Sequence, residues 1–259
     1  MQVIGCQFDI EWEKKPANYD RVESLLAAAR VDPGSLVVLP EMFATGFSMH
    51  VDTIAEAPDG ATHSFLAGLA KKLSSVVMAG VVLRAADGRG RNEALIYGPE
   101  GNRLASYAKL HPFSYGGESK YYAAGDEVTI FEWHDLSVAP FICYDLRFPE
   151  AFRRAVRSGA QLLVVIANWP LARQPHWLAL LRARAIENQA YVVGVNRVGS
   201  DPHAQYGGHS LIVGPRGETV AEGTDESQLV TADLELAPLV EYRQQFPALA
   251  DMRADLFAE

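Results

Sequence analysis

Segments typical of β-strands and of α-helices alternate along the whole chain, and this alternation constrains the fold more than any other feature. Such a pattern favours an α/β architecture, in which helices cover the faces of sheets. The predicted strands are 3–8, 36–39, 76–83, 138–142, 162–166 and 191–196, the predicted helices are 18–29, 63–73, 149–157 and 175–188, and hairpins turn at 98–101 and 214–217. From Pro238 onward we expect a short helix followed by an arm.

No linker rich in Ser, Pro or Gly interrupts this pattern, so residues 1–259 are expected to form a single domain. One segment is echoed, because residues 94–101 (ALIYGPEG) resemble residues 210–217 (SLIVGPRG). Either two ordinary hairpins use the same Gly-Pro turn chemistry, or the chain contains two half-domains of similar layout. The second alternative predicts two stacked sheets with helices outside.

Charge and cysteine content exclude several classes of protein. With 23 Lys+Arg against 32 Asp+Glu, the net charge is −9, and neither nucleic acid nor a membrane surface is an expected partner. The two cysteines, Cys6 and Cys143, are too few for a disulfide framework or a structural zinc site. We therefore expect no bound metal and a reducing, cytoplasmic setting. The N-terminus has the pattern of a strand, which predicts no signal peptide.

Cys143 stands where an apolar strand runs into a turn before a predicted helix. A thiol at such a turn lies near free backbone N–H groups and near the positive end of the helix, which favours a nucleophile with an oxyanion site. The alternative is a buried structural thiol, the commoner fate of free cysteine.

Two further side chains follow predicted strands directly. Glu41 comes after the strand at 36–39, where apolar neighbours would make it a usable general base, and Lys109 ends the strand after the first hairpin. A lysine held there would stabilise a developing oxyanion. Read separately, each also fits a solvated loop or surface position, and Glu118 is weaker still on its own.

The chain resembles the nitrilase (carbon–nitrogen hydrolase) superfamily in three motifs and in their order. The motifs are Pro-Glu-Met-Phe at 40–43, Lys-Leu-His-Pro-Phe at 109–113 and Cys-Tyr-Asp-Leu-Arg-Phe at 143–148. The resemblance covers almost the whole chain and includes Asn-Trp-Pro at 168–170 and Gly-Gly-His-Ser at 207–210. It implies an α/β fold, the four-layer α-β-β-α sandwich of the nitrilase type, usually assembled as a homodimer. It also implies that no cofactor is needed.

Within the superfamily, residues 117–120 (GESK), 143–148 and 243–247 (RQQFP) are most similar to the ω-amidase branch, which deamidates 2-oxo acid amides. True nitrilases typically place Trp-Glu after the cysteine, whereas this chain has Tyr144 and Asp145. The resemblance therefore implies a small-molecule amide substrate, such as 2-oxoglutaramate or 2-oxosuccinamate. Alternatives are another small-amide or N-carbamoyl hydrolase of the superfamily, or a non-catalytic binding or scaffold protein with this fold.

Transferred residue by residue, the resemblance makes Glu41 the general base, Lys109 the oxyanion-stabilising lysine and Cys143 the nucleophile. Glu118 matches the additional glutamate that orients the lysine and the substrate, and the backbone N–H of Tyr144 would be the second oxyanion donor. Water or an amine could accept the acyl group.

The substrate-binding residues are expected from position. A carboxylate on the substrate needs cationic donors, for which Arg147 and Arg173 are candidates, although Arg147 could instead form an ion pair with Asp145 or Glu150. Aromatic side chains that could wall the pocket are Phe43, Phe113, Tyr115 and Trp169. The scattered histidines at 63, 176, 203 and 209 are expected to be structural or solvent-facing.

Overall fold

The structure, a computed structural model, describes residues 1–253. Within that range the strands are β1 Gln2–Gln7, β2 Leu36–Val38, β3 Val76–Arg84, β4 Gly90–Tyr97, β5 Arg103–Ala108, β6 Phe131–Trp133, β7 Leu136–Ile142, β8 Leu162–Ala167, β9 Tyr191–Asn196, β10 Val198–Ser200, β11 Gln205–Gly207, β12 Leu211–Val213, β13 Thr219–Glu222 and β14 Gln228–Asp233. The helices are α1 Lys15–Ala27, α2 Val51–Ile54, α3 Ala61–Leu73, α4 Glu118–Tyr121, α5 Pro149–Arg157, α6 Gln174–Asn188 and α7 Leu236–Gln245.

Two six-stranded mixed sheets share one topology. The first has the order β14-β1-β2-β3-β4-β5 and the second the order β13-β12-β9-β8-β7-β6. In the first sheet β1, β2 and β3 are parallel and β4 and β5 return antiparallel, just as β7, β8 and β9 are parallel and β12 and β13 return antiparallel in the second. An antiparallel strand flanks each set, β14 beside β1 and β6 beside β7. The chain thus contains two half-domains of similar layout.

The echoed segments occupy equivalent places in the two sheets. Residues 94–101 run from β4 into the turn before β5, and residues 210–217 run from just before β12 into the turn before β13. In both hairpins the strand register shifts at matching positions, between Ile96 and Tyr97 and between Ile212 and Val213. The echo therefore reflects the repeated layout, which is the second of the two alternatives.

Because side chains alternate along the strands, each sheet can pack against another layer on both of its faces. Successive strand residues point to opposite faces of a sheet, so Leu36 joins the core between the sheets, whereas Val37 packs outward against Val22 of α1 and Leu66 of α3. On the outer side of the second sheet, Trp177 of α6 belongs to the same core as the strands that it covers. The result is a four-layer α-β-β-α sandwich, which confirms the predicted fold class.

Most predicted element bounds agree with the structure within a few residues, and the differences have local causes. Helix α1 begins three residues before the predicted start at Asn18, because Pro16 fits the first turn of a helix. Helix α7 similarly begins before Pro238 and is followed by a 3-10 turn, Ala248–Asp251. The end of the predicted C-terminal arm lies outside the described residues.

Candidate active site

The candidate catalytic residues meet where strands from both sheets end. Glu41 follows β2, Lys109 follows β5 and Cys143 follows β7, while Asn168 follows β8. Glu41, Lys109 and Glu118 are at most 1% exposed. The carboxyl ends of parallel strands are where α/β sheets commonly build their sites, and here both half-domains contribute.

A sharp turn presents Cys143. Its φ of 47° lies in the left-handed region, and the 3-10 turn Cys143–Arg147 follows at once. The buried carboxylate of Asp145 fixes this turn, because it accepts hydrogen bonds from the N–H of Ile142 at 3.1 Å, the N–H of His111 at 2.9 Å and the hydroxyl of Tyr107 at 2.8 Å. Asp145 thereby ties the cysteine turn to the segment that follows Lys109.

The carboxylate of Glu41 is held by donors on both oxygens. Oε1 accepts from Nζ of Lys109 at 2.8 Å and from Nδ2 of Asn92 at 2.7 Å. Oε2 accepts from the backbone N–H of Asn168 at 2.8 Å. The Glu41 backbone also lies close to β3, where a Cβ on Gly80 would come within 2.5 Å of the Glu41 Cα, so only glycine fits there.

Lys109 lies between two carboxylates. Its Nζ is 2.9 Å from Oε2 of Glu118 and 2.8 Å from Oε1 of Glu41. Burial by itself lowers the pKa of Lys109, but Glu118 and Glu41 outweigh burial and raise this pKa well above its ordinary value. Burial also raises the pKa of Glu118, although Lys109 opposes that rise. Lys109 is therefore a fixed cation.

Cys143 is half-buried, and its Sγ lies 3.9 Å from the carbonyl oxygen of Asn168. Burial and the negative charge of Glu41 raise its pKa well above the ordinary value, while Lys109 lowers it. The resting cysteine is therefore a protonated thiol beside a carboxylate, and such a pair can generate a nucleophile by proton transfer as the sulfur attacks.

A cavity of about 540 Å³ leads to Cys143. Five of the six residues expected to bind substrate line it: Phe113, Tyr115, Tyr144, Arg147 and Trp169. Phe43 does not belong with them, which corrects that expectation. Its side chain is fully buried on the outer side of the first sheet, with its ring 6.0 Å from those of Tyr19 and Phe65, because the chain turns after Glu41 and sends the next apolar side chain into the core.

Two guanidinium groups lie on the cavity wall against aromatic rings. Arg147 lies 4.9 Å from the ring of Trp169 and its Nη2 is 3.2 Å from Nδ1 of His176. Arg173 also lines the cavity, 5.5 Å from the ring of Phe113. Arg147 is thus held by an aromatic stack and a histidine, and within residues 1–253 it forms an ion pair with neither Asp145 nor Glu150, the two alternative partners.

Several cavity residues were missed from the sequence. Trp12, which follows β1, and His203, in the β10–β11 hairpin, meet edge to face with ring centroids 5.7 Å apart. His203 is exposed, which agrees with the expectation that it is structural or solvent-facing, and it also lines the cavity. No local signal marks either residue, because the small β10–β11 sheet stands apart from the repeated strands. Asn92 was missed as well. It lies on β4, which a hairpin joins to β5, the strand that ends just before Lys109.

Within residues 1–253 no cluster of three or more His, Cys, Asp or Glu side chains could hold a metal ion. Of the helices in the same range, none combines the length and apolarity that crossing a bilayer requires.

Fold and site together define the class: a four-layer α-β-β-α protein in which a lysine and a cysteine line one cavity and a buried glutamate bonds to that lysine, as in the nitrilase superfamily. Residues 4–244 match the family model for carbon-nitrogen hydrolase. The chain therefore belongs to the carbon–nitrogen hydrolase family, which confirms the resemblance seen in the sequence and identifies it as an enzyme of that family.

Individual relatives cover nearly the whole chain. It is 37% identical to the 2-oxoglutaramate amidase of Bacillus subtilis over 98% of both chains. It is 33% identical to human omega-amidase NIT2, covering 94% of this chain and 92% of that protein. A CN-hydrolase superfamily protein from Xanthomonas campestris, solved with an arsenic adduct in its active site, superimposes with a TM-score of 0.92 at 36% identity over 98% of this chain and 97% of that one.

Proposed function

We propose that this enzyme hydrolyses the side-chain amide of small 2-oxo acid monoamides, 2-oxoglutaramate and 2-oxosuccinamate, to the dicarboxylate and ammonia through a thioester on Cys143. One observation carries the choice of substrate: the cavity that leads to Cys143 is walled by the guanidinium groups of Arg147 and Arg173. Within residues 1–253 neither group has a carboxylate partner. A cation that meets no protein anion favours an anionic ligand.

The relatives support the same substrate class. The B. subtilis protein is named 2-oxoglutaramate amidase, and the Escherichia coli relative, 37% identical over 97% of this chain, is named omega-amidase. The cavity of about 540 Å³ has ample room for a five-carbon monoamide.

Acylation begins at the thiol. Glu41 takes the proton of Cys143 while the sulfur attacks the amide carbon, and the carbonyl electrons move to oxygen. Lys109 and the backbone N–H of Tyr144 stabilise this oxyanion, each donor contributing roughly 3–4 kcal/mol where similar donors have been measured. When the tetrahedral intermediate collapses, the C–N bond breaks and Glu41 returns its proton to the leaving nitrogen, so that ammonia departs and a thioester remains.

Deacylation uses Glu41 as the base a second time. Glu41 takes a proton from water, hydroxide adds to the thioester carbon, and the same donors stabilise the second oxyanion. Collapse then breaks the C–S bond, the sulfur regains a proton, and the carboxylate product leaves. Glu118 accepts a hydrogen bond from Lys109 throughout and keeps its ammonium group in place.

Ammonia release tests this function directly. The purified protein should release ammonia rapidly from 2-oxoglutaramate and 2-oxosuccinamate and far more slowly from glutamine and asparagine, with Cys143→Ala as the inactive control. Preference for an N-carbamoyl amino acid or a neutral amide would replace the proposed substrate with another of the family. Absence of turnover on every member of that panel would favour a binding or scaffold role.

We further propose that residues 1–259 form one domain, that the enzyme works as a homodimer in the cytoplasm, and that neither nucleic acid nor membrane is its partner. The apolar side chains of Ile186 on α6 and Phe246 after α7 are 52% and 57% exposed, which suits an interface with a second copy. Light scattering at micromolar concentration should give twice the chain mass, whereas a monomer mass would reject the dimer.

A further inference from the structure

Asn92 joins the two acidic residues of the site. It lies on β4 and is 1% exposed. Its Nδ2 donates to Oε1 of Glu41 at 2.7 Å and to Oε1 of Glu118 at 2.9 Å. Its backbone oxygen accepts the N–H of Lys109 at 2.9 Å, so the same residue also positions the lysine backbone.

We propose that Asn92 is a positioning residue that uses both protons of its amide to hold the carboxylates of Glu41 and Glu118, and thereby leaves Oε2 of Glu41 as the atom that takes the proton of Cys143. This inference rests on the proposed role of Glu41 as the base.

The count of hydrogen bonds at Glu41 supports the assignment. A carboxylate oxygen has two lone pairs in its plane. Those of Oε1 are used by Lys109 and Asn92, at 2.8 and 2.7 Å. Oε2 has one short bond, from the N–H of Asn168 at 2.8 Å, and one long contact, from Nδ2 of Asn168 at 3.5 Å, so within residues 1–253 its other lone pair has no donor at short range. The proton of the thiol therefore goes to Oε2.

The orientation of the Asn92 amide is fixed by its neighbours. Rotating the amide would point Oδ1 at two carboxylates, where oxygen faces oxygen. In the observed orientation Oδ1 is buried, and within the described residues it has no hydrogen-bond partner. An unpaired buried oxygen is unfavourable, so the structure accepts this cost in order to supply two donors to the two acids.

Asparagine suits this position because it donates twice without adding charge. Among the described residues, Lys109, Cys143, Tyr122 and Tyr206 interact electrostatically with one or both carboxylates. An aspartate at position 92 would have nearly the same shape, but it would lose at least one donor and bring a third acidic group to a single lysine. A larger fraction of Glu41 would then already be protonated at a given pH, and a protonated Glu41 cannot take the proton of Cys143.

The rate at which iodoacetamide alkylates Cys143 tests this proposal without any amide substrate. In Asn92→Asp the rate at neutral pH should fall roughly tenfold or more, as expected for loss of a hydrogen bond to a charged group. The acid limb of its pH profile should move to higher pH. In a Glu41→Gln background the same substitution should change the rate several-fold less, because the base on which Asn92 acts is then neutral and only its contact with Glu118 remains.

Asn188 provides the matched control. It is also fully buried, but its Nδ2 donates to the backbone oxygen of Arg184 on α6. Asn188→Asp should lower the melting temperature and leave the pH profile of alkylation unchanged. If Asn92→Asp does not fold, Asn92→Ser, which keeps one donor, serves in its place.

An unchanged profile in the folded position-92 variant, or an equal effect in the Glu41→Gln background, would overturn the proposal. Because labelling needs no substrate, its outcome is separate from that of the ammonia assay. A different natural amide would leave these predictions intact.

Discussion

The backbone N–H of Asn168 donates to Oε2 of Glu41 at 2.8 Å, and this bond joins the ends of two strands that belong to different sheets. The side-chain amide of Asn168 also donates to the backbone oxygen of Glu41 at 2.6 Å. The proposed base is therefore held by the half-domain that carries the cysteine. Catalysis therefore depends on correct packing of the two sheets. Substitutions that disturb the contact between Glu41 and Asn168 should lower activity before they unfold the protein.

Replacing Cys143 by alanine should abolish turnover, by a factor on the order of a thousand or more, because no other group can form the thioester. The melting temperature should change little, since Cys143 is half-buried and the substitution removes a single sulfur atom. Circular dichroism and ammonia release measure the two effects. Cys6 is the internal control: it is fully buried and burial raises its pKa, so iodoacetamide should modify Cys143 first.

Lys109→Met should lower kcat by roughly a hundredfold to a thousandfold, because the oxyanion loses its charged donor. The change also leaves Glu41 and Glu118 without their shared cation, so some stability should be lost. Steady-state kinetics with 2-oxoglutaramate check the first effect. Lys120→Met, at an exposed position two residues beyond Glu118, is the matched control and should retain full activity. A near-normal kcat in Lys109→Met would reject the oxyanion role.

Arg173→Leu should raise KM for 2-oxoglutaramate by roughly ten- to a hundredfold, the usual effect of losing a charged hydrogen bond. Turnover of a neutral amide such as butyramide should be unaffected, because that substrate has no carboxylate to bind. Arg157→Leu, at an exposed position on α5 that does not line the cavity, provides the control. Equal losses for the charged and the neutral amide would indicate a packing role for Arg173 instead.

Asp145→Asn should lower both stability and kcat. The carboxylate accepts from Ile142, His111 and Tyr107, and an amide in its place turns one acceptor into a donor that faces other donors. The cost is about 1–3 kcal/mol, which for a chain of this size lowers the melting temperature by roughly 2–10 °C. Calorimetry and kinetics at 20 °C separate the two effects. A variant with wild-type kcat would show that the cysteine turn keeps its shape without Asp145.

The sequence allowed prediction of the features that depend on local patterns. Strand and helix periods identified β7, α5, β8 and α6, and the echoed Gly-Pro turns pointed to the repeated half-domains. Glu41, Lys109 and Cys143 were found because each directly follows a strand within a recognisable motif. The cavity wall was harder to predict. Phe43 lies beside Glu41 in the sequence, yet the turn of the chain sends it to the opposite side of the sheet.

The residues missed by sequence reasoning share a physical cause. Trp12, His203 and Asn92 reach the site only through long-range packing, and none lies in a local pattern that differs from an ordinary loop or strand. Asn92 sits in a strand of buried residues, where a polar side chain signals a partner but does not say which one. The partners, Glu41 and Glu118, come from segments on either side of it in the sequence.

Trapping the covalent intermediate tests the central claim most directly. The enzyme is mixed with 2-oxoglutaramate, quenched in acid within milliseconds, digested and analysed by mass spectrometry. The account predicts a five-carbon acyl group on the peptide that contains Cys143, formed together with one equivalent of ammonia and absent from Cys143→Ala. Rapid turnover with no acyl group at Cys143 under any quench time, or an acyl group at Cys6, would contradict it.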